Sequence, residues 1–219
     1  MTAIAICPTT NAPGKHDVTG AFYPEARAFC ELHGADLLRF DNTAPKPKRR
    51  VEVEQGISSK HGMIDTVAIF CHGWKSGIQT GHTIRTAQRL ADAIAGISQP
   101  WVSVALYACD AARDADASRS DDQTAGPGGE GGFADALRDA MVSAGLNGGH
   151  VDAHTVTAHA TKAPYVRRFP VEPGQTGGEW LIAPGSPEWG RWRRRLQSDR
   201  AFRLSFPRWT RERVLAELG

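Results

Sequence analysis

Hydrophobic and polar positions follow two rhythms along this chain, short apolar runs and longer stretches with a helical period. Residues 3–7, Ala-Ile-Ala-Ile-Cys, form an apolar run that reads as a buried strand. A loop rich in Thr, Asn, Pro and Gly follows, to about Gly20. The pattern from Phe22 to His33 predicts a helix, with Pro24 tolerated in its first turn and Gly34 as its stop. Ala35 to Phe40 reads as a second strand, and a basic, Pro-containing linker (Pro45 to Arg50) leads into a weaker helix ending near Gly62. The third strand, Asp65 to Cys71, is the clearest, and His72 and Gly73 follow it at once. Thr83 to Ile97 reads as an amphipathic helix with Ile84, Ala87, Leu90, Ala91 and Ile94 on one face. The fourth strand, Trp101 to Ala108, ends at Cys109, and a loop of about 20 residues rich in Asp, Ser and Gly comes next. Phe133 to Ala144 is a helix closed by Gly145, Val151 to Ala158 a fifth strand, and Trp180 to Ala183 a candidate sixth.

Strands alternating with helices predict an α/β fold: a three-layer sandwich with a mainly parallel central sheet of about six strands and helices on both faces. The composition shifts near the C-terminus, where Arg191, Arg193, Arg194, Arg195 and Arg200 cluster with Trp189, Trp192 and Phe202. The expected organisation is one α/β domain over 1–185 and a basic, aromatic helical extension over 186–219 packed on it. The competing reading of that extension is a nucleic-acid or membrane patch.

Composition narrows the class. With 219 residues, 41% of them apolar, the chain can bury one sizeable core. A formal net charge of +2 is too small to argue for a nucleic-acid partner. No apolar run approaches the roughly 20 residues of a membrane helix, and the N-terminal segment lacks the basic start of a secretion signal. A cytoplasmic protein without a membrane partner is the expectation. The four cysteines, Cys7, Cys30, Cys71 and Cys109, form no C-x-x-C pair, and reduced thiols are expected over two disulfides.

In open parallel sheets ligands bind beyond the carboxyl ends of the strands. The loops there carry Lys15, His16 and Asp17, then Asp41, His72 with Gly73, Cys109 with Asp110, and His159 with Lys162. His72 and Cys109 stand out because each comes directly off a strand. Strands about 4.8 Å apart would let both side chains reach one substrate atom. Taken singly, a strand-end Cys is usually core filler and a His-Gly is common. Taken together they suggest a thiol nucleophile with an imidazole base, and the N–H groups of Gly73 and Cys109 as oxyanion donors.

The stretch Val67-Ala-Ile-Phe-Cys-His72-Gly73, followed by Val102-Ser-Val-Ala-Leu-Tyr-Ala108-Cys109, resembles the pattern of the caspase-like cysteine peptidases, which include metacaspases, gingipains and legumain. The likeness covers roughly residues 1–160. It implies His72 as general acid/base, Cys109 as nucleophile, and the Gly73 and Cys109 amides as the oxyanion hole of a cysteine endopeptidase working through a thioester. It further implies a specificity pocket drawing on His16, Asp17, Asp110, Asp114, His159 and Lys162. Asp110 beside the nucleophile favours substrates with Arg or Lys before the cleaved bond, whereas Lys15 or Lys162 in the pocket would select an acidic residue. The pattern departs from caspases in two respects. Asp110-Ala-Ala follows the cysteine instead of an Arg-Gly type of sequence, and His72 and Cys109 are 37 positions apart against about 50. A distant member of the superfamily is implied, not a true caspase.

No cofactor is expected. Asp110, Asp114, Asp116, Asp121 and Asp122 could hold calcium but lack EF-hand spacing. His154 and His159 with His72 lack the partners of a zinc site. Gly126, Gly128 and Gly131 match G-x-G-x-x-G outside the strand-to-helix context that dinucleotide binding needs. The loop from Asp114 to Gly132 is expected to be protease-accessible and to act as a lid or processing site. Two alternatives stand beside the peptidase. One is an idle caspase-like interaction module. The other is an α/β-hydrolase with a cysteine nucleophile, although Tyr107 occupies the position where that fold wants a small residue.

Overall fold

A computed structural model describes residues 2–9, 22–60, 62–115, 128–157 and 161–219. The central sheet takes its parallel part from β1 (Thr2–Pro8), β2 (Asp36–Phe40), β3 (Ile64–Phe70), β6 (Ser98–Tyr107) and β7 (His150–His154). Beyond it lie β8 (Val166–Pro170) and β9 (Glu179–Trp180), giving the order β2-β1-β3-β6-β7-β8-β9. The pairs from β2 to β7 are parallel, and β7–β8 and β8–β9 are antiparallel. A separate two-stranded hairpin, β4 (Gly73–Trp74) and β5 (Gly77–Ile78), follows β3.

The parallel strands are apolar on both sides because helices cover both faces. On one face Ile4, Ile6, Val67, Ile69, Val104 and Leu106 pack against α2 (Lys46–Ser58), α3 (Ala87–Ala95) and α4 (Phe133–Ser143). On the other face Ala3, Ala5, Ala68 and Ala105 are small enough for α1 (Phe22–His33) to lie close, with Phe29 packed on Phe70. Beside α1 on that face, α6 (Arg200–Ser205) adds Leu204, and its Arg203 carbonyl accepts the Tyr107 hydroxyl at 2.7 Å. A third cluster joins Val166, Leu181 and Ile182 to α5 (Trp189–Ser198), α6 and α7 (Arg211–Leu218), with Trp192, Leu196 and Phe206 buried. The C-terminal arginines lie on helices whose aromatic side is buried in this cluster.

Several elements differ from their sequence reading. The basic stretch after Pro45 is the first turn of α2, where proline is tolerated because its missing N–H would have no partner there. The helix expected from Thr83 begins as a 3-10 turn, Ile84–Thr86, and Ile84 lies at the surface. The fifth strand ends at His154 instead of Ala158, and its antiparallel neighbour β8 was not anticipated. Arg167 and Arg168 hide the apolar alternation of β8. Arg167 stacks over the Trp180 ring at 4.3 Å, and Arg168 grips both Asp152 oxygens at 2.8 and 2.7 Å across the β7–β8 ladder. All four cysteines are free thiols. No described helix is long and apolar enough to cross a membrane.

Candidate active site

The chain runs from β1 outward to β2 and then returns to β3 on the opposite side of β1. Connections from β1 and β3 therefore part in opposite directions, the place where open α/β sheets form a crevice. His72 leaves β3 at this point, and Phe22, the first residue of α1, meets its ring edge-on at 4.9 Å between centroids.

Register carries Cys109 to the same level. Ile69 pairs with Leu106 and Phe70 with Tyr107, and the Cys71 N–H donates to the Tyr107 carbonyl at 3.3 Å. Continued by two residues, this parallel register sets His72 beside Cys109. Side chains alternate along a strand, and Phe70 stacks on Tyr107 at 4.5 Å on the α1 face. The Phe22 contact places the His72 ring on that same face, and Cys109 follows in the turn two residues beyond Tyr107. Both are partly exposed. Cys71 points the other way, into the core under α2 and α3, and burial pushes its thiol up to about 12, against the pull of the Gln79 and Thr80 N–H groups. Burial, with Asp36 and Glu31 nearby, pushes Cys30 up to about 11.

Gly73 is a matter of space. A Cβ there would fall 2.5 Å from the Cys109 carbonyl oxygen and 2.8 Å from the Ala108 Cβ. The glycine lets the two strand ends close on each other. Past Cys109 the backbone turns sharply. Asp110, at φ +56°, is the one non-glycine residue with positive φ among those described, a conformation Asp tolerates better than most. The turn is tied on three sides. Arg113 N–H donates to the Asp110 carbonyl at 3.2 Å, Ala112 N–H to His154 at 3.0 Å, and Ala134 N–H to Ala111 at 2.9 Å. Among the described residues no helix follows at once, for 110–115 are turn, bend and irregular backbone. That is not the strand-to-helix elbow of an α/β-hydrolase.

Gln79 is a participant that sequence reading missed. The His72 N–H donates to its Oε1 at 3.2 Å, and the Gln79 N–H donates to the His72 carbonyl at 2.8 Å. The segment is anchored from behind by buried His82, whose Nδ1 lies 2.8 Å from the Thr80 hydroxyl and whose Nε2 lies 3.3 Å from Glu54 Oε1. A carboxylate only accepts, so the proton sits on Nε2, and Nδ1 accepts from Thr80. Burial holds His82 down to about 4 despite the opposing pull of Glu54. Burial alone would raise the Glu54 carboxyl, but Arg89 and His82 outweigh it and keep it low. Nothing short-range in the sequence links Glu54, His82 and Gln79; a hairpin of two-residue strands carries no hydropathy signal. Trp74, 52% exposed on that hairpin, adds an aromatic surface two residues from His72.

Of the remaining expected site residues, Asp110, Asp114 and Lys162 lie among the described residues. Asp110 accepts from the Thr157 hydroxyl at 2.8 Å and lies 3.7 Å from Arg113. Its Oδ2 is thereby hydrogen-bonded, whereas Oδ1 is buried without a hydrogen-bond partner among the described residues. Asp114 accepts the Gly129 N–H. Lys162 lies where the chain enters β8 from β7, and its carbonyl accepts from Gln197 on α5 at 3.2 Å. Lys15, His16, Asp17 and His159 lie outside the described residues, as do Gly126 and positions 116–127 of the acidic loop. His154, 3% exposed in β7, has its ring 6.2 Å from that of Tyr107. Among the described residues no group of three or more His, Cys, Asp or Glu is arranged to hold a metal ion. Comparisons with protein-family models, with curated proteins and with solved structures found no match for this chain.

Proposed function

We propose that the chain is a cysteine-dependent hydrolase of the caspase-like type, cleaving peptide bonds through a His72–Cys109 dyad. The observation that carries this reading is the register of β3 against β6, whose last pair, Phe70 with Tyr107, stands two residues before His72 and Cys109, with Gly73 packed against the Cys109 carbonyl. The left-handed turn at Asp110 and the edge contact of Phe22 on His72 stand beside that pair. Local strain beside a reactive group is common at active sites.

In the proposed reaction His72 takes the Cys109 proton and the thiolate attacks the substrate carbonyl carbon. The carbonyl oxygen gains the negative charge, and the N–H groups of Gly73 and Cys109 donate hydrogen bonds to it. Collapse of this intermediate breaks the C–N bond, and His72 returns the proton to the departing amine. Water, deprotonated by His72, then cleaves the thioester, releasing the acid and restoring the thiol.

An alkylating peptide probe tests the reading. Labelling should fall on Cys109, be lost in Cys109→Ala, and drop by about a hundredfold in His72→Ala, the size expected for loss of a positioned base. Labelling that is slow and indifferent to His72 would leave an idle interaction module as the better account.

A further inference from the structure

We propose that the cleft between α5 and the segment entering β8 is a docking site for an acidic stretch of a polypeptide. This cleft, about 780 Å³, is lined by Pro164, Tyr165, Gly190, Arg193, Arg194 and Gln197. It rests on the hydrolase reading only in taking a polypeptide as the ligand.

The charge is specific to two side chains. Of the four arginines on α5, Arg191 meets Glu188 and the Gly219 carbonyl, and Arg195 meets Asp199 at 3.2 Å while lying over the Phe202 ring. Arg193 and Arg194 are exposed and have neither an ion pair nor a side-chain hydrogen bond among the described residues. Among the described residues no acidic side chain lines the cleft with them. Two free guanidinium forks in a concave site match carboxylate pairs, which accept two parallel hydrogen bonds from each. Tyr165, held against Trp180 and Trp189 at 6.2 and 5.2 Å, supplies a rigid aromatic wall.

Position points to polypeptide. Val166 pairs with His154, so Tyr165 sits at the sheet edge where Cys109 emerges, two strands further along. The helix that carries the arginines stands on the same face as the dyad, because α5 packs on α6 through Trp192 and Phe202, and α6 covers Tyr107. Nucleic-acid binding draws much of its affinity from neutralising several phosphates with Lys and Arg. Here the formal net charge is +2 and the unpaired cations of α5 number two.

The test uses the full chain carrying Cys109→Ala, so that binding is read without turnover. The probe is a fluorescein-labelled hexaglutamate peptide, compared with a hexaglutamine peptide and with oligothymidylate. Anisotropy should show hexaglutamate binding that weakens about tenfold or more in the Arg193→Ala/Arg194→Ala double variant. The Arg193→Lys/Arg194→Lys variant should keep much of it, which separates charge loss from misfolding. No hexaglutamate binding, equal binding of hexaglutamine, or binding indifferent to both arginines overturns the proposal. Tighter binding of oligothymidylate through the same arginines overturns it in favour of a nucleic acid. Binding that persists in a wild-type chain unable to cleave any peptide sinks the hydrolase reading and leaves the docking site standing.

Discussion

Gly73 and Cys109 are in such close apposition that a single methyl group on the glycine would lie 2.5 Å from the cysteine carbonyl oxygen. The clash is with backbone, which cannot swing aside, so the strand end bearing His72 must move. Forcing an extra methyl into a packed site costs about 1–3 kcal/mol, and a shift of about 1 Å at reacting groups can cost a hundredfold in rate. Gly73→Ala is therefore expected to lower the melting temperature by several degrees and kcat by ten- to a hundredfold. Circular dichroism melting together with peptide turnover checks both. Wild-type rates in a stable Gly73→Ala chain would show that the close approach has no catalytic consequence.

The two cysteines nearest the crevice should behave oppositely. Cys71 is fully buried with its thiol pushed up to about 12, whereas Cys109 is partly exposed at the strand end. The thiolate is the reactive form. Iodoacetamide at pH 7.5 should modify Cys109 and spare Cys71 and Cys30. Cys109→Ala should abolish turnover, and Cys71→Ala should keep it within about threefold while losing about 1 kcal/mol of stability from the small void. Peptide mapping and steady-state rates read these results. Equal loss of activity in both variants would mean that the wrong thiol carries the chemistry.

The strands before His72 and Cys109 were legible because Val67 to Cys71 and Val104 to Ala108 are buried on both faces and so read as apolar runs. Hydropathy could not reveal what stands around them. Val166 to Pro170 was hidden because Arg167 and Arg168 occupy a strand, stabilised by Trp180 and Asp152, partners distant in sequence. Gln79 was invisible for a similar reason: its role depends on a hairpin held in place by Thr80, His82 and Glu54. Asp110 was conspicuous in the sequence, but the carboxylate's partners, Arg113 and Thr157, emerge only from the turn geometry.

Gln79 holds the His72 backbone from both sides, through its side-chain oxygen at 3.2 Å and its own N–H at 2.8 Å. Only the first bond depends on the side chain. Gln79→Ala should leave KM within about twofold and lower kcat about tenfold, the cost of a neutral hydrogen bond that fixes a reacting group. Gln79→Glu keeps an oxygen acceptor for the His72 N–H and should recover most of kcat. A purely structural role would instead give equal losses in stability and rate for both variants. Rate profiles and unfolding curves of the pair decide between them.

Acid should destabilise the fold through two histidines, His82 buried and His150 half-buried. His82 and His150 are each held down to about 4, chiefly by burial, which outweighs the attraction of Glu54 and Asp152 respectively. In the unfolded chain both return to about 6.5. Between these values the unfolded state binds two protons that the native state refuses. The stabilising effect is thus complete above about pH 6.5 and is lost as the pH falls toward 4. Each histidine contributes a slope approaching about 1.4 kcal/mol per pH unit, or about 3 kcal/mol over the whole interval. His150 packs between the Ser103 hydroxyl and the Pro207 carbonyl, at 3.3 and 2.9 Å, where the C-terminal helices meet the sheet. An asparagine there keeps polar contacts without titrating in this range. Urea unfolding at pH 7.5, 6, 5 and 4.5 should show stability dropping steadily, and His150→Asn should roughly halve the slope. A curve that stays flat from pH 7 to 4.5, or a His150→Asn slope equal to wild type, would show that these imidazoles are not held neutral by the fold.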